Sequence, residues 1–253
     1  MVDVDEKRVA DSLLAADTAV AFTGAGVSTA SGIPSFRGED GIWQTQFDPD
    51  DFRVGRLDAD PAGFWRDRLD LHEAMFAEGP EPNAAHDALV DLERAGVLDA
   101  VVTQNTDGLH AAAGTETLLE LHGNAQRVVC RNCGRRSDAA GARERARDGE
   151  LPPRCRDCGG VLKPDVVLFG ELLSEETMTE ARRLARESDV FLAVGSSLTV
   201  EPAASLPRLA AEDGTLVLVN LESTPYSDRA AVDVRADVTD VLPEVVRAVE
   251  RRR

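Results

Sequence analysis

Apolar and polar residues alternate along this chain in blocks. The short runs "TAVAFT", "DAVVTQN", "DVFLAVGSS" and "TLVLVN" are apolar at nearly every position, rich in β-branched residues and closed by turn chemistry. Runs of this kind, without polar alternation, predict strands buried on both faces of a parallel sheet. Between them, "NAAHDALVDLERAG", "SEETMTEARRLARESD" and "AASLPRLAAEDG" place apolar residues three and four apart, which predicts helices. The second opens with Ser174 three residues before Thr177 and carries acids early and Arg late, matching the helix dipole. The last segment, "VTDVLPEVVRAVERRR", predicts a terminal helix with Pro243 in its first turn. The pattern as a whole predicts an α/β fold, a parallel sheet with helices on both faces.

Two stretches interrupt it. Residues 39–82 show no strand and contain "PAGFWRDRLDLHEAMFAEG", which predicts a helix. Residues 128–160 hold all four cysteines. Both read as insertions. They divide the chain into a main domain (1–38, 83–127 and 161–253) and a smaller one built from the helical insertion and the cysteine module.

At 253 residues the chain can bury a sizeable core. No apolar run approaches ~18 residues, so no membrane span is expected. The N-terminal "MVDVDEKRVADSLLAAD" lacks the basic and apolar regions of a secretory signal, which points to a cytoplasmic protein. The net charge is -18, and lysine occurs only at Lys7 and Lys163. Such a balance lacks the basic footprint of a nucleic-acid binder, and 4% aromatics support no base-stacking platform. It suits a solvated surface adapted to high salt, where screening weakens self-repulsion. A monomer is the default expectation.

Cys130 and Cys133 in "CRNC" and Cys155 and Cys158 in "CRDC" form two C-x2-C pairs with glycines close behind. Four thiolates at this spacing predict one tetrahedral Zn2+ site with no open position, hence a structural metal. In a cytoplasmic chain two disulfides are disfavoured. From Cys130 to Cys158 there are eight Arg and five acids, a local excess of positive charge that reads as a solvated surface or, alternatively, as a landing strip for an acidic partner.

"TGAGVSTASGIPSFRG" follows the first strand. Gly24 and Gly26 would let backbone amides approach a pyrophosphate, with the next helix N-terminus adding partial positive charge. Thr29 stands where a dinucleotide fingerprint has its third glycine. An acidic ribose ligand is hard to place, since Asp40 and Asp48 fall in the insertion, so hydride transfer is a poor fit. Polar clusters also end the other strands: "TQNTDGLH", "LHGN", "GSSL" and the Asn of "TLVLVN". In open α/β sheets these positions surround the ligand crevice.

In this order, "GAGVSTASGIPSFRG", "TQNTDGLH", "LHG", the paired cysteines, "PDVVLFGE", "GSSLTVEPAA" and "VN" resemble the sirtuin family of NAD-dependent protein deacylases over nearly the whole chain. The resemblance implies a Rossmann-like NAD-binding domain with a small zinc-containing domain. It implies that Gly24, Ala25, Gly26 and Ser28 hold the NAD diphosphate, and that Phe36 and Arg37 lie on a segment closing over the nicotinamide ribose. Ser35 stands where many members have Asp, and Thr106 where most have Ile or Val. Gln104, Asn105 and Asp107 would contact nicotinamide and ribose, with Asn105 beside a water and Asp107 on the carboxamide. Gly195, Ser196, Ser197 and Asn220 would contact adenosine, with Asp237 and Val238 near adenine. Val167, Phe169, Gly170, Glu171 and Val200 would lie on strands that sandwich an acyl-lysine peptide by β-augmentation.

The resemblance also implies a reaction. The acyl-lysine amide oxygen attacks C1′ of the ribose and nicotinamide departs. His122 then acts as general base on a ribose hydroxyl, a role suited to imidazole. Lysine and O-acyl-ADP-ribose follow, so NAD is consumed as co-substrate. His72, His86 and His110 read as structural. Members that remove succinyl or malonyl groups carry a Tyr and an Arg three residues later; here Trp65 and Arg68 hold those positions, and acetyl is the expected main substrate. Mono-ADP-ribosyl transfer needs the same site and remains an alternative, as does a non-enzymatic NAD-sensing zinc regulator. The intact set of His122, Asn105 and Asp107 speaks against the last.

Overall fold

Each apolar run becomes a strand whose alternate residues feed opposite cores. In β1 (Ala19–Thr23), Ala19 and Ala21 enter one cluster and Val20 and Phe22 the other. β7 (Val190–Val194) and β8 (Thr215–Val219) divide alike, Leu192 and Val217 to one side, Phe191 and Leu218 to the other. A strand covered on both faces has no use for polar alternation, which is why these runs are continuously apolar.

The computed structural model describes residues 4–35 and 41–253. Among them a six-stranded sheet runs β3 (Leu118–Glu120), β2 (Ala100–Thr103), β1, β7, β8, β9 (Val232–Val234), every pair parallel. Helices α1 (Val4–Ala15), α5 (Ala84–Arg94) and α10 (Val238–Glu250) pack on one face. Helices α8 (Glu175–Glu187) and α9 (Leu206–Ala210) pack on the other. The chain builds outward from β1 through β2 to β3, then restarts at β7 on the opposite flank.

The helical insertion comprises α2 (Ile42–Thr45), α3 (Val54–Ala59) and α4 (Pro61–Phe76). After the short α6 (Leu109–Ala113) and β3, the cysteine module forms an antiparallel sheet of β4 (Gly123–Cys130), β5 (Arg136–Asp138) and β6 (Leu162–Val166), with α7 (Ala140–Arg147) against it. The two insertions share one core, in which Leu57, Phe64 and Trp65 meet Val128, Cys130 and Leu162. Trp65 is 1% exposed, and its indole Nε1 donates to the Leu162 carbonyl at 2.8 Å.

Several details differ from the sequence expectation. Asp237 caps α10 by accepting the Thr239 amide at 2.8 Å, so the helix starts early and Pro243 falls beyond its first turn, where it removes one internal donor. The helix expected around "AASLPRLAAEDG" is reduced to a three-residue 3₁₀ turn and the five-residue α9. Residues 167–171 and 198–200 form no strand of either sheet: Phe169 makes a single parallel bridge with Arg53, and the chain turns at Gly170 (φ +83°) and Leu198 (φ +54°).

Candidate functional site

β1 and β7 are neighbours whose onward connections run in opposite directions, which makes the gap at their carboxyl ends the expected crevice. A cavity of about 790 Å³ opens there. Its floor is an interlock of glycines. The Gly26 amide donates to the Gly195 carbonyl at 2.8 Å, and the Gly24 amide to the Val194 carbonyl at 3.1 Å. A Cβ at Gly24 would lie 2.8 Å from the Gly195 carbonyl oxygen, and one at Gly195, whose φ is +58°, 2.6 Å from the Val27 nitrogen. The glycines let two strand-end loops touch, besides leaving Gly24, Ala25, Gly26 and Gly195 on the cavity wall. The α-helix expected to follow is replaced by two three-residue 3₁₀ turns, Ala25–Val27 and Thr29–Ser31, ended by Gly32 at φ +85°. Such turns carry little dipole. The Asn83 side chain holds them in place, donating to the Val27 carbonyl at 2.8 Å and the Ser31 hydroxyl at 2.9 Å.

Behind the glycines lies a buried polar chain. Asn105 lines the cavity, and its Nδ2 donates to the Gly24 carbonyl and the Ser28 hydroxyl, both at 3.1 Å. Ser28 Oγ donates to Asp107 at 2.8 Å, and the other Asp107 oxygen accepts the Leu109 amide at 2.8 Å. Burial pushes the Asp107 carboxyl above the usual carboxylate range, against the pull of those two bonds. Ser28 and Asp107 sit beneath the wall rather than on it; Asp107 braces Ser28. Gln104 spans the floor, its Nε2 donating to the Ser196 hydroxyl at 2.8 Å.

His122 lines the same cavity. Its Nδ1 lies 2.9 Å from the Gln104 carbonyl, which can only accept, so Nδ1 carries the proton and Nε2 the lone pair. Gly123 follows it at φ +76°, where a Cβ would come 2.1 Å from the Asp165 carbonyl oxygen. The glycine of "LHG" therefore lets β4 and β6 meet beside the imidazole.

Ser197, Asn220 and Val200 also line the cavity, together with Ser35, Thr106 and two acids missed in the sequence, Glu201 and Glu222. Asp237 and Val238 do not: the first caps α10 and the second is buried in the core. Phe36 and Arg37 lie outside the described residues. On the far side Val167, Phe169, Gly170, Glu171 and Arg68 form the wall. Trp65 is absent from it, because its ring is consumed by the core shared between the insertions. Arg68 has no carboxylate partner among the described residues; burial, with the neighbouring Arg143 charge, pulls its guanidinium down to about 10.

The four cysteine sulfurs lie within 4.8 Å of one another. Cys130 Sγ and Cys158 Sγ are 3.4 Å apart and Cys133 Sγ and Cys155 Sγ 3.9 Å, close to the ~3.8 Å edge of a tetrahedron with zinc–sulfur bonds of ~2.3 Å. The Asn132 amide donates to Cys130 Sγ at 3.4 Å, and a Cβ at Gly160 would lie 2.9 Å from that sulfur. The donor set fits zinc and leaves no coordination position for substrate. Most arginines of this module are neutralised locally: Arg131 pairs with Asp58 at 2.6 Å, Arg135 with Asp157 at 2.5 Å and Arg136 with Asp165 at 3.0 Å.

The Sir2 family profile matches residues 24–202. The chain belongs to the Sir2 family. It is 64% identical to an NAD-dependent protein deacetylase of Haloarcula marismortui over 241 residues, which cover 94% of this chain and 92% of that one. It is 43% identical to an NAD-dependent protein deacetylase of Sulfolobus acidocaldarius, covering 97% and 96%. A solved Sir2 enzyme superposes with TM-score 0.86 at 41% identity, covering 98% of this chain and 99% of the other. A Sir2–p53 peptide–NAD+ complex superposes with TM-score 0.84 at 34% identity, covering 95% and 97%.

Two further histidines of this Sir2-family chain, His86 and His110, are buried side by side. His86 and His110 are 0% and 1% exposed, with ring centroids 4.8 Å apart. Burial pulls His86 down to about 4; burial and the neighbouring His86 pull His110 down to about 3. His110 Nε2 meets the Thr23 hydroxyl at 2.8 Å, which donates to Thr103 at 2.8 Å, and Thr103 accepts the Asn105 amide at 3.0 Å. This hydroxyl pair was not singled out in the sequence; its signal is that two adjacent strands of the sheet both end in Thr.

Proposed function

We infer that the chain is an NAD-dependent protein deacylase whose main reaction is removal of acetyl groups from lysine side chains. The observation that carries this is His122: an imidazole with its proton pinned on Nδ1, sharing one cavity with Asn105, Gln104 and the interlocked glycine loops. NAD supplies an electrophilic ribose carbon, a leaving group and the hydroxyl that accepts the acyl group. His122 Nε2 takes the proton from that hydroxyl. Asn105 presents its carboxamide oxygen near the reacting carbon, the glycine loops approach the diphosphate, and Ser196, Ser197 and Asn220 face the adenosine end. Phe36 and Arg37 would close over the ribose. The four cysteines hold Zn2+ structurally. In this reading the chain divides into the NAD-binding domain and the small domain at the boundaries given above, acts in the cytoplasm as a monomer and is adapted to high salt.

A second acyl preference has one observation behind it. Arg68 lines the cavity without an acidic partner among the described residues and could pair a succinyl or malonyl carboxylate bidentately. Trp65 adds nothing to this, since its Nε1 is committed to Leu162. Acetyl therefore remains the main substrate. The test is turnover of an acetyl-lysine peptide with and without NAD at low and high salt. The expected products are deacetylated peptide, nicotinamide and O-acetyl-ADP-ribose in equal amounts. Turnover independent of NAD overturns the reading, and label from NAD appearing on protein instead assigns ADP-ribosyl transfer.

A further inference from the structure

Lys163 is one of two lysines in a chain that otherwise takes its positive charge from arginine. It lies on β6 opposite Val129, with its side chain 14% exposed. Its ammonium donates to Glu171 Oε2 at 2.6 Å and to the Val166 carbonyl at 2.7 Å. The same carboxylate oxygen accepts the Leu168 amide at 2.8 Å. A single ion pair thus ties both ends of the segment that forms the far wall of the cavity. A compact ammonium with three donors can serve a carboxylate and a carbonyl at once from inside a tight turn.

Two further attachments define what this segment leaves open. The Val167 amide donates to the His122 carbonyl at 2.9 Å. The Phe169 amide donates to the Phe52 carbonyl at 3.3 Å, and its carbonyl accepts the Val54 amide at 3.0 Å. The Glu171 amide uses the Leu168 carbonyl at 3.0 Å. Among the described residues, the backbone groups of 167–170 left without a protein partner are the Val167 carbonyl and the amide and carbonyl of Gly170. Both residues line the cavity, so these groups are available to an extended peptide.

We propose that Lys163 is a positioning residue for the acyl-peptide: its ion pair with Glu171 holds residues 167–171 in the one conformation that keeps the Val167 carbonyl and the Gly170 backbone open to the substrate. The inference rests on the deacylase reading and adds to it the device that shapes the peptide wall. Glu171 is then a brace for that wall. Without Lys163 its carboxylate is left unpaired in a half-buried place, and the segment is free to re-form its bonds.

The test compares the full chain with Lys163→Met, Glu171→Gln and the double variant. Two substrates are used: an acetyl-lysine peptide with several residues on each side, and a capped single acetyl-lysine with no flanking chain. Lys163→Met is expected to raise KM for the long peptide at least about fivefold, with KM for NAD and turnover of the capped residue within about twofold. The double variant should be no worse than the poorer single one, because both remove the same interaction. An unchanged peptide KM, or equal loss on both substrates, overturns the proposal. If Lys163→Met folds poorly, Lys163→Gln carries the same comparison. Anisotropy of the labelled long peptide reads affinity without turnover, so that failure of the deacylase reading and failure of this one are told apart.

Discussion

The Nδ1 nitrogen of His122 donates to the backbone carbonyl of Gln104 across 2.9 Å. One bond thus fixes the tautomer and aims the basic nitrogen, and it does so from the loop that also carries Asn105. His122→Ala is expected to lower kcat by ~10²–10⁴, the usual contribution of a positioned base. NAD binding and the melting temperature should change little. Full deacylation by this variant would remove His122 from the mechanism.

Arg68 predicts a selective loss. Matched acetyl- and succinyl-lysine peptides should be turned over with acetyl preferred. Arg68→Met should lower kcat/KM for succinyl by ~10-fold or more, the scale of one lost charge-assisted bond, and affect acetyl far less. A preference for succinyl in the unaltered protein would reverse the acyl assignment.

Salt should act on both stability and substrate. With a net charge of -18, and Glu201 and Glu222 lining the cavity, low salt leaves repulsion unscreened within the chain and, in the proposed reading, against the NAD diphosphate. Melting temperature should rise from dilute buffer to molar KCl, where the screening length falls to ~3 Å, and KM for NAD should fall. A flat melting series counts against salt adaptation.

Metal removal should be local. Cys130 and Cys155 belong to the core that holds Trp65 and Leu57. Chelation should release one zinc per chain and strip hydrogen-exchange protection from residues 128–160 and from α4, while β1 and β7 keep theirs. Retained protection of the module without zinc would show that the cysteines are not its organising element.

Acid should destabilise the fold in a defined window. Burial lowers His86 to about 4, and burial with the His86 charge lowers His110 to about 3, against ~6.5 in an unfolded chain. A depressed folded value means that their contribution is complete above pH ~6.5 and is lost as pH falls toward the folded values. For His86 the full loss is about 3 kcal/mol. Asp107, raised by burial, works in the opposite sense in the interval above the usual carboxylate range. Urea melts from pH 8 to 5 at constant salt should show the decline, and His86→Gln should flatten it.

The central strands were legible because burial on both faces writes one unbroken apolar run. β9 was not, since Val232–Val234 is three residues at a sheet edge with Asp233 between two valines. The cysteines announced their cluster because ligand spacing is local in sequence. The peptide wall, expected as strand, leaves the sheets: the chain turns at Gly170 directly after "VVLF", and the Phe169 backbone pairs with Phe52 and Val54, which come from the helical insertion. Trp65 and Arg68 share a helix and are three residues apart, yet one faces the module core and the other the cavity, a division set by what packs against α4. His122 was legible only through the resemblance, because no local pattern separates it from three structural histidines.

The glycine absent at Thr29 has a counterpart at Gly195, just past the end of the neighbouring strand. The nucleotide loop is consequently a two-part object, each half shaped to the other's backbone. Redesigning it for a different dinucleotide means altering both halves in concert, since a side chain introduced in either one would first dislodge its mate.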